Sequence, residues 1–261
     1  MLCQGLSLTH FFAEHDHGGG EEHHGVARHP QQVGPQHRPV PRQRRPPRVH
    51  GVDNDARHLV LLCENETGYR NLSYLVSRGF LDGFYVRPRI DLALLRQHSE
   101  GLIALSACLA GAIPRRLRAN DYEGAKQYAL ELSEIFGEDH FYLELQDHGL
   151  EEQREVNRGI VRLARETGLP LVVTNDAHYL TREDSYIQDV LLCIQTGKTV
   201  EDPNRMRFET QEFYIKSEDE MRSLFPNLSE AFENTQKIAD RCNLEFTFGK
   251  YHLPDFPVPN G

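Results

Sequence analysis

LVVTNDAHY, Leu171 to Tyr179, is the stretch on which the reading of this chain turns. A run of β-formers ends abruptly on an Asp and a His two residues apart. Leu171 to Thr174 therefore reads as a buried parallel strand, and Asn175 to His178 as the loop at its carboxyl end. Open α/β sheets and barrels place their chemistry at that edge. If the extended geometry persists that far, Asp176 and His178 point the same way, and a carboxylate oxygen and an imidazole nitrogen can converge on one metal or substrate. The same pair also suits a helix N-cap followed by a surface histidine, so it needs company before it defines a site.

Going back along the chain, the unit repeats. Glu151 to Thr167 has the pattern of a helix, stopped by Gly168-Leu169-Pro170, and follows a strand, Phe141 to Leu145, that runs into the polar loop Gln146-Asp147-His148-Gly149. Before it, Tyr122 to Phe136 carries a helical apolar stripe (Ala125, Tyr128, Ala129, Leu132, Ile135). Gly101 to Leu105 is a buried strand ending in SACLAG, whose small residues let backbone and ligand approach closely around Cys108. His58 to Cys63 is the first strand; Glu64 to Thr67 opens a helix closed by Gly79, and Asp91 caps a short helix after a loop rich in aromatics and arginine. Four strands separated by helices imply a parallel α/β sheet or barrel. Beyond Tyr179, Thr181 caps a helix reaching Cys193, and an irregular arm follows with a short strand at Glu212 to Lys216. Ser217 and Glu220 form a capping box, Ser229 starts a last long helix, and the tail is a Pro-punctuated linker.

The 261 residues, 39% of them hydrophobic, suffice for a sizeable core. No apolar run approaches a membrane span and the first residues do not resemble a signal peptide, so the expectation is a cytoplasmic protein without membrane partners. Five scattered cysteines and no CxxC suit reduced thiols. A net charge of −10 argues against a non-specific nucleic-acid coat. Residues 1–48 stand apart, being rich in Pro, Arg, Gln, His and Gly with almost no apolar periodicity. They read as a disordered segment, with a metal-binding tail built from His15, Asp16, His17, His23 and His24 as the sharper alternative.

The strands offer His58, Cys108, His148 and the Asp176/His178 pair as potential ligands for Zn²⁺, Mn²⁺ or Fe²⁺, mostly on one topological edge. His58 is the exception, because it stands at the start of its strand. Ser106 with His178 and Asp176 could imitate a nucleophilic triad, although no G-x-S-x-G elbow exists. Gly197-Lys198-Thr199 echoes the end of a phosphate loop, but the first glycine of that motif would fall at Leu192.

Seven segments in order then carry a resemblance: ENETGYRNL (64–72), GFYVRPRID (83–91), SEGLIALSACLAG (99–111), FYLELQDHG (141–149), TNDAHYL (174–180), DVLLCIQTGK (189–198) and RMRFETQEFYIKS (205–217). Together they resemble the PHP (polymerase and histidinol phosphatase) domain of the bacterial replicative C-family DNA polymerases, the DNA polymerase III alpha subunits. The resemblance implies a distorted seven-stranded α/β barrel, TIM-like, with a divalent-metal site (Zn, Mn or Mg) at the strand ends. It matches His58, Cys108, Asp176 and His178 to metal-ligand positions, and leaves His148 in the surrounding layer. It further implies DNA as a partner through the full-length polymerase, other replicative subunits including a proofreading exonuclease, and palm carboxylates beyond Gly261. The PHP region would then be a phosphoesterase or 3′–5′ exonuclease relic, or a non-catalytic scaffold that docks the proofreading subunit.

The family's opening H-x-D motif and G-x-E glutamate have no counterparts before His50, and its T-D-H-G motif is echoed only by Asp16-His17-Gly18. Hence the expected organisation is a low-complexity or misassigned start at 1–48, a partial PHP domain lacking its opening βα units at 49–200, and an arm, helix and linker at 201–261. A barrel without its first strands would leave two open edges and a bare core face.

Overall fold

In the computed structural model, which describes residues 57–84, 88–251 and 253, the four expected strands form one sheet. They are β1 (Val60–Cys63), β2 (Leu102–Leu105), β3 (Phe141–Leu145) and β4 (Leu171–Val173), in the spatial order β1-β2-β3-β4. Residues 1–48, and with them the readings of a metal-binding tail and a misassigned start, lie outside the described residues, as does most of the tail after Tyr251.

β2, β3 and β4 are parallel, as the alternation of strand and helix requires, but β1 is antiparallel to β2, with Val60 opposite Leu105 and Cys63 opposite Leu102. The reason lies in the connection. One crossover helix would carry the chain back to the start of β1, but here α1 (Glu66–Leu81) leads away and α2 (Leu92–Gln97) brings the chain back. It returns to the end of β1, where Gly101 sits against Gly68 and the Asn71 amide donates to the Glu100 carbonyl at 2.9 Å. β2 therefore begins where β1 ended, and Glu64 N–H bonds Gly101 O at 2.9 Å.

α3 (Ala112–Arg118) was not evident in the sequence; Pro114 falls within its first turn, where a missing N–H costs nothing. α4 (Tyr122–Phe136) and α5 (Glu151–Thr167) have the limits their apolar stripes and stop signals define. Alternate strand residues face two layers. Leu61, Leu102, Ala104, Phe141, Leu143, Leu145 and Val173 pack against Leu72 and Leu75 of α1, Leu132 of α4, and Ile160 and Leu163 of α5.

The other face carries Val60, Leu62, Ile103, Leu105, Tyr142 and Val172, and these pack on Ile238 of α8 (Ser229–Arg241). Among the described residues no strand pairs with the outer edge of β4, and α8 covers it. The Asn234 amide donates to Leu171 O at 2.8 Å and the Thr235 hydroxyl to Val173 O at 2.9 Å, satisfying carbonyls that a further strand would otherwise take. At the far end of the sheet, Arg241 of the same helix pairs with Glu64 at 2.8 Å, and Glu64 also meets His140 at 3.0 Å. The bare face and open β4 edge expected of a truncated barrel are thus occupied by the C-terminal helix.

The arm also does more than extend. After the 3₁₀ turn at Arg182–Asp184 and α6 (Ser185–Thr196), it returns to the β4 loop. Tyr214 forms a parallel bridge with Tyr179, and His178 N–H bonds Phe213 O at 2.8 Å. The short strand expected at Glu212 to Lys216 is reduced to that bridge. Arg205 and Asp189 tie the arm to α6 with a 2.7 Å contact, and α7 (Glu218–Leu224) follows the Ser217/Glu220 capping box.

Candidate functional site at the strand ends

Because β1 runs backwards, its first residues lie at the carboxyl ends of β2, β3 and β4. His58 N–H bonds Ala110 O at 3.2 Å, residue 58 bridges to Gly111, and its imidazole Nδ1 is 3.8 Å from the Cys108 thiol. The apparent misfit of His58 is resolved by strand direction.

Cys108 follows Ala107, which adopts a left-handed conformation (φ 65°) that a non-glycine residue takes only when its surroundings hold it. The surroundings are a carboxylate. Glu144 is on β3, the strand between β2 and β4, and is 4% exposed; it accepts a hydrogen bond from Ala107 N–H at 2.9 Å. It also accepts from the Gln146 amide at 2.9 Å and from the Thr174 hydroxyl. In return, Glu144 N–H donates to the Ser106 hydroxyl at 2.8 Å. Burial pushes the Glu144 carboxyl above its ordinary range, while the bonds from Thr174, Gln146 and Ala107 pull the other way. Sequence reading missed this residue. The available signal was a lone acid at a strand position whose neighbours on both sides are apolar, FYLEL, since an unpaired carboxylate is not buried without donors waiting for it.

Asp176 and His178 converge as their spacing suggests, with Asp176 Oδ1 3.4 Å from His178 Nε2. His178 packs on Phe208 and Phe213, with ring centroids 4.7 and 5.8 Å away. The Cys108 thiol is pushed up to about 11, first by burial and then by the negative charges of Asp176 and Glu144, so it is protonated at neutral pH. That charge effect links the His58/Cys108 pair to the Asp176/His178 pair electrostatically.

His148 is fully buried, stacked on Phe213 at 4.4 Å. Its Nδ1 lies 3.0 Å from the Gln153 amide nitrogen, and Gln153 Oε1 accepts from His148 N–H at 2.8 Å. The Thr210 hydroxyl of the arm donates to His148 O at 2.6 Å. Burial lowers the imidazole pKa, so this side chain is a neutral packing element that joins the β3 loop to the arm.

The donor chemistry of His58, Cys108, Asp176 and His178 suits Zn²⁺ or a similar cation. As placed, however, they form two pairs, and among the described residues no group of three or more His, Cys, Asp or Glu is arranged to hold a metal. The described residues by themselves do not make a metal centre. The triad reading fails as well, because Ser106 is buried and its hydroxyl is engaged by Glu144 N–H. Gly197 is the left-handed C-cap of α6 and Lys198 pairs with Asp202 at 3.1 Å, so Gly197-Lys198-Thr199 is an ordinary helix end.

The PHP domain model matches residues 15–148, and the chain belongs to that family. The match begins inside the stretch that reads as low complexity and takes in Asp16-His17-Gly18.

Its relatives narrow the class. The chain is 51% identical to the DNA polymerase III subunit alpha of Borreliella burgdorferi over 203 residues, 77% of this chain and 18% of that protein. It is 46% identical to that of Treponema pallidum over 211 residues, covering 81% and 18%, and 44% identical to that of Thermus aquaticus over 220 residues, covering 82% and 18%. The chain spans less than a fifth of the length of these curated relatives. No helix among the described residues is long and apolar enough to cross a membrane.

Proposed function

We propose that this chain is part of a replicative DNA polymerase III alpha subunit and that, within it, the PHP region acts as a non-catalytic scaffold. The observation that supports this most is that Glu144, Ser106 and the arm tie the strand ends to one another. Glu144 accepts three hydrogen bonds, Ser106 is held by a backbone N–H, and the arm closes over His148 through Thr210 and Phe213. Such an arrangement holds strand ends together. Polymerisation and the docking of a proofreading subunit are activities of the longer protein on this reading, and the acidic balance of this region leaves the gripping of DNA to basic parts elsewhere.

A second reading, a metal-dependent phosphoesterase or 3′–5′ exonuclease, is favoured by the donor set His58, Cys108, Asp176 and His178, whose two pairs are coupled through the charge of Asp176 on Cys108. Further ligands would have to come from outside the described residues. The two readings separate in one assay, in which the purified chain is incubated with end-labelled primer–template DNA, nucleotides and Zn²⁺ or Mn²⁺. The scaffold reading expects the primer to stay unchanged in length. Shortening would establish the exonuclease, and extension would show that the palm chemistry is present in this chain.

For residues 1–48 the proposal of a misassigned gene start has the PHP match from residue 15 onward against it. Translating the upstream DNA in three frames should reveal the H-x-D and T-D-H-G motifs; their absence from every frame would overturn it.

A further inference from the structure

From the hydrogen bonds around Glu144 we infer that it is a positioning residue, a carboxylate staple on the middle strand that fixes the two loops carrying Cys108 and Asp176. It does this without a metal, so the inference stands whichever reading of the site holds. β3 lies between β2 and β4, and Glu144 is its second-last residue, on the face opposite α4 and α5. One carboxylate oxygen, Oε2, receives Ala107 N–H at 2.9 Å, immediately before Cys108 in the loop after β2. The other, Oε1, receives the hydroxyl of Thr174, two residues before Asp176 in the loop after β4, and the Gln146 amide at 2.9 Å. The Ser106 hydroxyl closes the circuit by accepting Glu144 N–H at 2.8 Å, and Gln146 Nε2 lies 3.1 Å from Thr174 Oγ1.

Two features suggest that positioning, and not mere filling of the core, is what this residue does. First, the Ala107 backbone is left-handed at φ 65°, a conformation an alanine leaves readily once its N–H is released, and on leaving it the Cys108 side chain turns away from His58. Secondly, three donors converge on the two oxygens, and a neutral amide in the same place offers them one acceptor in place of two. The amide of Glu144→Gln has one acceptor oxygen; with Ala107 N–H on it, the Thr174 hydroxyl and the Gln146 amide must both turn round to accept from the NH₂ group, and with the amide reversed Ala107 N–H loses its acceptor.

The experiment is peptide-resolved amide hydrogen exchange on the full chain in EDTA, comparing wild type with Glu144→Gln, Thr174→Val and Leu143→Ala. Leu143 is fully buried on the same strand but on the opposite face, so its truncation destabilises the core without touching the staple. For Glu144→Gln, exchange at 106–110 and 174–178 should accelerate about tenfold or more relative to the rest of the chain. Thr174→Val should loosen 174–178 and leave 106–110 protected. Leu143→Ala should speed exchange broadly with no preference for the two loops. The inference is overturned if Glu144→Gln leaves both loops as protected as in wild type, or if its pattern matches that of Leu143→Ala. If Glu144→Gln fails to fold, Thr174→Val decides the matter alone: no selective loosening of 174–178 would overturn it.

Discussion

Gly68→Ala should cost about 3 kcal/mol or more and lower the melting temperature by many degrees, a large effect for the addition of one methyl group to a helix. In an ordinary helical position the same change is stabilising, because alanine has the higher helix propensity. Here a Cβ on Gly68 would stand 1.9 Å from the carbonyl oxygen of Gly101 and 2.6 Å from its carbonyl carbon. These are backbone atoms at the start of β2 and cannot be moved by a change of rotamer. Gly101 is itself left-handed at φ 73°, and a Cβ there would meet Gly68 N at 2.6 Å. The close approach exists because the helical hairpin α1/α2 brings the chain back to the end of β1. Thermal melts of wild type and Gly68→Ala measure the effect; an unchanged or raised melting temperature would mean that α1 does not pack on the start of β2 in this way.

Ile238→Asp should be comparably damaging, by about 4 kcal/mol, since it removes a buried aliphatic side chain and places an unpaired carboxylate among Ile103, Leu105, Tyr142 and Val172. Ile238 is 3% exposed and is the main apolar contact of α8 with the second sheet face. Losing it frees the face and, with it, the caps that Asn234 and Thr235 place on the edge of β4. The expected signature is binding of a hydrophobic dye together with loss of a single cooperative transition. A variant that melts as wild type does would show that α8 is dispensable to the sheet.

The local elements of this fold were legible in the sequence because each is set by neighbours along the chain. The stripe in Tyr122–Phe136, the Gly168 stop after α5 and the Ser217/Glu220 capping box involve residues within a turn or two of one another. Strand direction was not legible for β1, since it depends on how far α1 leads the chain away and where α2 brings it back. Glu144 was hidden for a related reason. Its donors are Ala107, Gln146 and Thr174, and two of these belong to strand ends 37 and 30 residues away, which no periodicity brings together. The arm was read as irregular because its order comes from Tyr179 and His178, not from its own pattern. Of the candidate donors, the sequence set Cys108, Asp176 and His178 at one edge and left His58 as the exception, while their division into two pairs is a matter of distances that only the packed loops determine.

What holds the site together in this account is the reversal of β1, which alone carries His58 to the ends of the parallel strands. Oxidative cross-linking of His58→Cys in the full chain, with the products mapped by peptide mass spectrometry, measures this directly. The thiol replacing His58 should form an intramolecular disulfide with Cys108, because residue 58 bridges to Gly111 and its imidazole Nδ1 lies 3.8 Å from the Cys108 thiol. A parallel β1 would put residue 58 at the opposite end of the sheet, about 13 Å or more from Cys108, beyond the reach of any disulfide. Failure to form the 58–108 bridge in a protein that still melts cooperatively would contradict the arrangement.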